Sequence, residues 1–195
     1  MLMSTDISKC LEVLCADSNL PLVKLAELQD HRVGGVMTPL IERSETVADA
    51  LRVVLMFNCR HAEPLYWTGS IRGDHAALTA WFDRPAELSI SQADRICILG
   101  VLQLVSGFKS ALGEAFQPTL IRIKPCWSET EWPTHFMGVP IEKNAPETEL
   151  FLSRSCLSAS NPLRRDVHET PELVAERERY QEEAKAALLR NDTCS

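Results

Sequence analysis

Between Ser91 and Gly113 runs the stretch that most narrows what this chain can fold into. Ser91-Gln-Ala-Asp94 has the form of a capping box, and from there to Leu112 apolar residues occupy nearly every side of a helix before Gly113 stops it. A helix apolar all round has no stable place at a surface, so it predicts a long, buried central helix with the other elements built around it. Its most apolar part, Ile96 to Val105, is interrupted by Gly100 and Gln103 and falls short of the roughly 20 apolar residues that a membrane span needs. Met1 to Met3 lead straight into Ser4-Thr5-Asp6 without a signal-peptide pattern. The expectation is a cytoplasmic protein with no membrane partner.

A chain of 195 residues, 45% hydrophobic and 24% charged, is enough to close such a core, because a chain of this size buries roughly 70% of the surface its unfolded form exposes. Neither disulfides nor a structural metal are required. The seven cysteines, at 10, 15, 59, 97, 126, 156 and 194, are odd in number and contain no CxxC pair, as expected of reduced thiols serving as small core residues. Acidic residues outnumber basic ones, 27 to 20, for a net charge of −7. That balance argues against a surface that tracks a phosphate backbone, so no direct nucleic-acid binding is expected.

Around the central helix the pattern alternates between short helices and short strands. Ile7 to Ala16 and the Leu22-Leu25-Leu28 spacing predict short amphipathic helices, and Thr46-Val-Ala-Asp49 caps a helix from Val47 to about Cys59. Leu65 to Ile71 and Ala76 to Phe82, joined through Arg72-Gly73-Asp74, predict a hairpin. Thr119 to Lys124 alternates as a half-buried strand. Trp127 to Met137 is expected as a short helix with Trp132 and Phe136 inward, Val139 to Glu142 as an edge strand because of Pro140, and Glu149 to Leu152 as that strand's partner. Thr170-Pro171-Glu172 opens a charged helix to about Arg190 with a narrow apolar stripe that includes Leu173, Tyr180 and Ala187. The class is α+β, with short mixed strands packed against several helices, in a single domain over residues 1–190 followed by a flexible tail at 191–195.

Catalytic signatures are sparse. The sequence has no GxSxG elbow, no glycine-rich phosphate loop, no HExxH and no paired metal-ligand spacing among His31, His61, His75, His135 and His168. No cofactor or metal is expected. Cys59-Arg60-His61 sets a thiol beside two cationic groups, but at the end of a helix, where the dipole disfavours a thiolate. Asp74-His75 is accounted for by turn chemistry. A binding site asks for less, namely apolar walls and a few placed polar groups, and Arg60, His61, Tyr66, Trp67, Arg72 and Trp81 concentrate both in one region. The arginines are the candidate clamps for an anionic ligand, and Tyr66, Trp67 and Trp81 its stacking surface, unless these rings simply fill the core.

Taken in order, several stretches resemble the N-terminal regulatory domain of AraC-type transcriptional regulators, the non-cupin, arabinose-binding-like subgroup. They are Gly34-Gly35 leading to Ser44-Glu-Thr46-Val47-Ala-Asp49-Ala50-Leu51; Gly113-Glu-Ala-Phe116-Gln-Pro118 before Leu120-Ile-Arg122-Ile-Lys124-Pro125; Phe136-Met-Gly138-Val-Pro-Ile141; Asn144-Ala-Pro-Glu-Thr-Glu149-Leu-Phe-Leu152; and Leu157 to Pro162. The resemblance covers residues 20–190 and rests on order and spacing. It implies a domain that senses a small-molecule effector and self-associates as a homodimer, with Leu173, Tyr180 and Ala187 as candidate interface residues. The family continues into a domain with two helix-turn-helix motifs, which this sequence is expected to lack. The alternatives are a ligand-free interaction module of the same fold and, third, a small cytosolic enzyme. Which effector is sensed is not written in the residues.

Overall fold

The computed structural model describes residues 22–27, 37–61, 65–83, 89–125 and 132–164. Three helices come first, α1 (Leu22–Glu27), α2 (Met37–Arg43) and α3 (Val47–His61), then the strands β1 (Leu65–Arg72) and β2 (His75–Phe82). The long helix α4 (Ile90–Leu112) follows, with a 3-10 turn at Gly113–Ala115, then β3 (Pro118–Arg122), β4 (His135–Phe136), β5 (Val139–Glu142), β6 (Thr148–Ser153) and α5 (Arg154–Ser158). The strands form one mixed sheet in the order β1-β2-β6-β3-β5-β4, with only β3 and β5 parallel. This is the expected α+β fold.

Strand alternation and register decide which side chains meet α4. Leu65 and Trp67 of β1, Leu78 and Ala80 of β2, Leu150 and Leu152 of β6, and Ile121 of β3 share one face. That face packs on α4, which α1 also touches. Residues Cys97 through Leu102 of α4 are buried in unbroken succession, so the helix is enclosed on every side, as its apolar pattern predicts. Ile90–Ala115 has the length and apolar character of a membrane span, yet most of it lies inside this core. Gly100 sits where α4 crosses β1: a Cβ there would stand 2.7 Å from Leu65 Cδ2, so the tip of that leucine occupies the space a side chain on the helix would take.

Several local expectations change. The cap of α4 is Ser89, not Ser91: Ser89 Oγ accepts from Gln92 N at 3.2 Å and Ser89 N donates to Gln92 Oε1 at 2.6 Å. Ser89-Ile-Ser-Gln92 closes the reciprocal box, which leaves Ser91 inside the helix and Asp94 beside Lys124, 3.5 Å from its Nζ. Within the expected helix at Trp127 to Met137, the described part from Trp132 onward is not helical. Met137 and Gly138 take φ of 48° and 80°, the two left-handed residues of a tight hairpin turn, and join β4 to β5. Trp132 and Phe136 are buried nonetheless.

Nor is β5 an edge strand. It lies between β3 and β4, while β6, its expected partner, pairs with β2 and β3. Pro140 is tolerated because the parallel register with β3 begins one residue later, at Ile141 opposite Ile121, so the missing N–H has no place in that ladder. The helix at Val47 begins as expected, with Thr46 Oγ1 accepting from Asp49 N at 3.2 Å. Behind it, buried Asn161 holds the turn between α2 and α3: its Nδ2 donates to the carbonyls of Ile41, at 2.7 Å, and Ser44, at 2.9 Å.

Candidate functional site

The sheet face turned away from α4 carries the polar and aromatic residues. Tyr66 and Trp81 are register partners there, and their rings stack with centroids 4.5 Å apart and planes 20° from parallel. Trp81 remains 44% exposed, so the pair presents an aromatic platform to solvent. Thr79 lies two residues from Trp81 on the same face, about 7 Å along the strand, and is paired in register with Glu149.

Glu149 is 2% exposed, and a carboxylate so enclosed needs partners. Arg72 Nη2 lies 2.8 Å from its Oε1, Thr79 Oγ1 donates to the same oxygen at 3.3 Å, and Arg122 Nη1 is 3.8 Å from Oε2. Arg122 also donates through Nε to Glu142 at 2.9 Å. The two guanidinium groups stand over the Phe151 ring, Arg122 at 4.9 Å and Arg72 at 5.8 Å from its centroid, where the ring quadrupole attracts both. Two cations and two carboxylates balance, so an anion arriving at Arg72 meets a guanidinium that already holds a carboxylate.

Of the residues singled out in the sequence, Tyr66, Trp81 and Arg72 thus share one face, and Trp67 does not. Trp67 points to the α4 side, where its Cζ2 would be 3.6 Å from a Cβ at Gly100. It is a core ring. Arg60 and His61 close α3, but their side chains lie outside the described residues, as does that of Cys59. Leu173, Tyr180 and Ala187 also lie outside the described residues. Sequence reasoning missed Thr79, Arg122, Glu149 and Phe151. For Thr79, Arg122 and Glu149 the only local signal is a polar residue at alternate strand positions, and Phe151 has none; the register across β2, β6 and β3 is what assembles them.

Among the described residues, the side chains singled out for catalysis are not brought together. Asp74 lies in the hairpin turn, where its carbonyl accepts from Arg154 N at 3.0 Å, and His75 is exposed beside it. Among the described residues no group of three or more His, Cys, Asp or Glu is placed to hold a metal. Burial pushes the Cys97 thiol up to about 12, with the Asp94 carboxylate adding to the effect. Burial likewise raises the Cys156 thiol, against the opposing hydrogen bond that its sulfur accepts from Gln117 N at 3.4 Å. Neither is a ready nucleophile.

No protein-family model matches the chain, and no curated protein matches it. Among solved structures, the fold is similar to that of the transcriptional regulator CdpR from Pseudomonas aeruginosa, with a TM-score of 0.60 and 14% sequence identity. The match covers 74% of this chain and 46% of that one, so the chain spans a little under half the length of the regulator it matches. At this identity what the two share is a fold, and the protein that shares it is a transcriptional regulator.

Proposed function

We propose that this chain is the effector-sensing and self-association domain of a cytoplasmic transcriptional regulator of the AraC type. The observation that carries the reading is the fold held in common with CdpR over 74% of the chain. The ordered resemblance of residues 20–190 to the AraC-type regulatory domain points the same way. With a net charge of −7, DNA contact falls to a helix-turn-helix domain other than the residues described, and this chain supplies the sensor. Its effector is a small molecule with a planar or apolar portion that lies on the Tyr66–Trp81 platform, its polar groups directed toward Arg72 and Arg122.

A thermal-shift screen of metabolites tests this, because a ligand that binds only the folded state raises its melting temperature. The expected result is a compound that stabilises the wild type and loses its effect in Trp81→Ala, a substitution at a half-exposed ring that leaves the core intact. A screen in which nothing raises the melting temperature, together with concentration-dependent self-association, overturns the sensing role and leaves a ligand-free interaction module of the same fold.

A further inference from the structure

We infer that β1 is a self-association edge, pairing antiparallel with β1 of a second copy about a two-fold axis at Gly69 so that two sheets become one. The inference rests on the self-association reading above and assigns it to particular residues. Arg72 and His75 flank the hairpin turn as a hydrogen-bonded pair, so Trp67, Gly69 and Ile71 direct their N–H and C=O groups away from β2. Among the described residues β1 is a terminal strand of the sheet, and Thr68 through Arg72 are all exposed. The exposure of Gly69 is that of its backbone, and Ile71 beside it is 72% exposed.

The two ends of the sheet are treated differently. Natural proteins blunt an open edge with very short strands, lysines, prolines or bulges. The far edge, β4, is cut down to His135–Phe136. β1 runs for eight residues in unbroken register with β2, contains no proline or lysine, and turns its one full charge, Arg72, onto the outer face toward Glu149.

The occupant is a second copy because the edge is complementary to itself. A two-fold contact needs one patch that fits its own image. With the axis at Gly69, the backbones meet where neither has a side chain. Thr68 then faces the partner subunit's Ser70, and Ile71 covers the partner subunit's Trp67. Two copies that each carry −7 repel overall, which favours a contact without like charges face to face, and this edge brings none together.

Sedimentation velocity of the full chain over a concentration series, for the wild type and Ile71→Lys, tests the inference, with amide exchange of the wild type as a second measurement. The wild type is expected to dimerise, and Ile71→Lys to move the midpoint at least about tenfold higher in concentration without lowering the melting temperature of the monomer, read well below the wild-type midpoint where association adds no stability. Exchange at Gly69 and Ile71 should slow as concentration rises, and by a larger factor than at Ser70, whose N–H is already bonded to β2 in the monomer. A dimer indifferent to Ile71→Lys, with edge amides exchanging at one rate throughout, overturns the edge and leaves self-association to another surface. A chain that stays monomeric at every concentration overturns both.

Discussion

The guanidinium of Arg72 lies 2.8 Å from the carboxylate of Glu149, although β2 separates their strands. The arginine side chain is 50% exposed and the glutamate 3%, so the two ends of the bridge are not equivalent. Removing the glutamate leaves two arginines that can turn to water. Removing both arginines leaves a buried carboxylate with Thr79 alone. Urea unfolding should therefore show Glu149→Gln losing about 1 kcal/mol and Arg72→Ala combined with Arg122→Ala losing about 2–4 kcal/mol. Equal losses would mean that the carboxylate is better solvated than its burial implies.

Asn161 is the clasp between the end of the sheet and the first helices. Its amide serves two carbonyls, and its Oδ1 accepts from Leu163 N at 2.9 Å. Asn161→Ala orphans buried backbone groups, and the expected cost is about 2–3 kcal/mol, read as a lower urea midpoint with an unchanged slope. Asn161→Asp keeps the shape but replaces the donor with an acceptor facing two carbonyls, and should be at least as damaging.

At Gly100, helix propensity and packing pull in opposite directions. A larger residue favours the helix by up to about 1 kcal/mol, but its Cβ meets Leu65 Cδ2 at 2.7 Å inside the core. A branched side chain makes the overlap decisive, so Gly100→Val is expected to cost about 1–3 kcal/mol. Because one neighbour causes the clash, Leu65→Ala in the same chain should cost less than it does alone, and a double-mutant cycle measures the difference.

The Cys97 thiol links stability to alkaline pH. Its ordinary value is 9.0, and in the fold burial, helped by Asp94, lifts it to about 12. Below pH 9 the thiol is protonated in both states and contributes no slope. Above it, the unfolded chain releases a proton that the fold retains, so stability falls as pH rises, by at most about 1.4 kcal/mol per unit. Cys97→Ala lowers the curve as a whole through its cavity but should flatten this segment, which unfolding titrations on either side of pH 9 resolve. In the native protein the Cys97 peptide should also be alkylated far more slowly than in denaturant.

Much of the local structure is legible along the chain because its causes are local. The apolar girdle of α4 and its stop at Gly113, the Thr46 cap of α3, and the glycine turn between β1 and β2 each follow from residues a few positions apart. Capping spacing alone misplaces the start of α4: Ser91 has the form of a cap, but the closed bonds to Gln92 belong to Ser89. The region from Trp132 to Gly138 likewise has helical aromatic spacing, but its turn residues make a hairpin.

The candidate site divides in the same way. The sequence by itself determined that aromatic and cationic residues gather on the β1–β2 hairpin, that the domain is acidic, and that one helix must be its core. Only the tertiary structure decided that Trp67 goes to the core while Tyr66 and Trp81 stack outside, that Arg72 answers Glu149 some 77 positions further along, and that β6 rather than β5 fills the middle of the sheet. The reason is physical. Side-chain alternation assigns a residue to one of two faces, but which strands lie side by side depends on long-range pairing and on the closure of a common core, and neither leaves a trace in any short window of sequence.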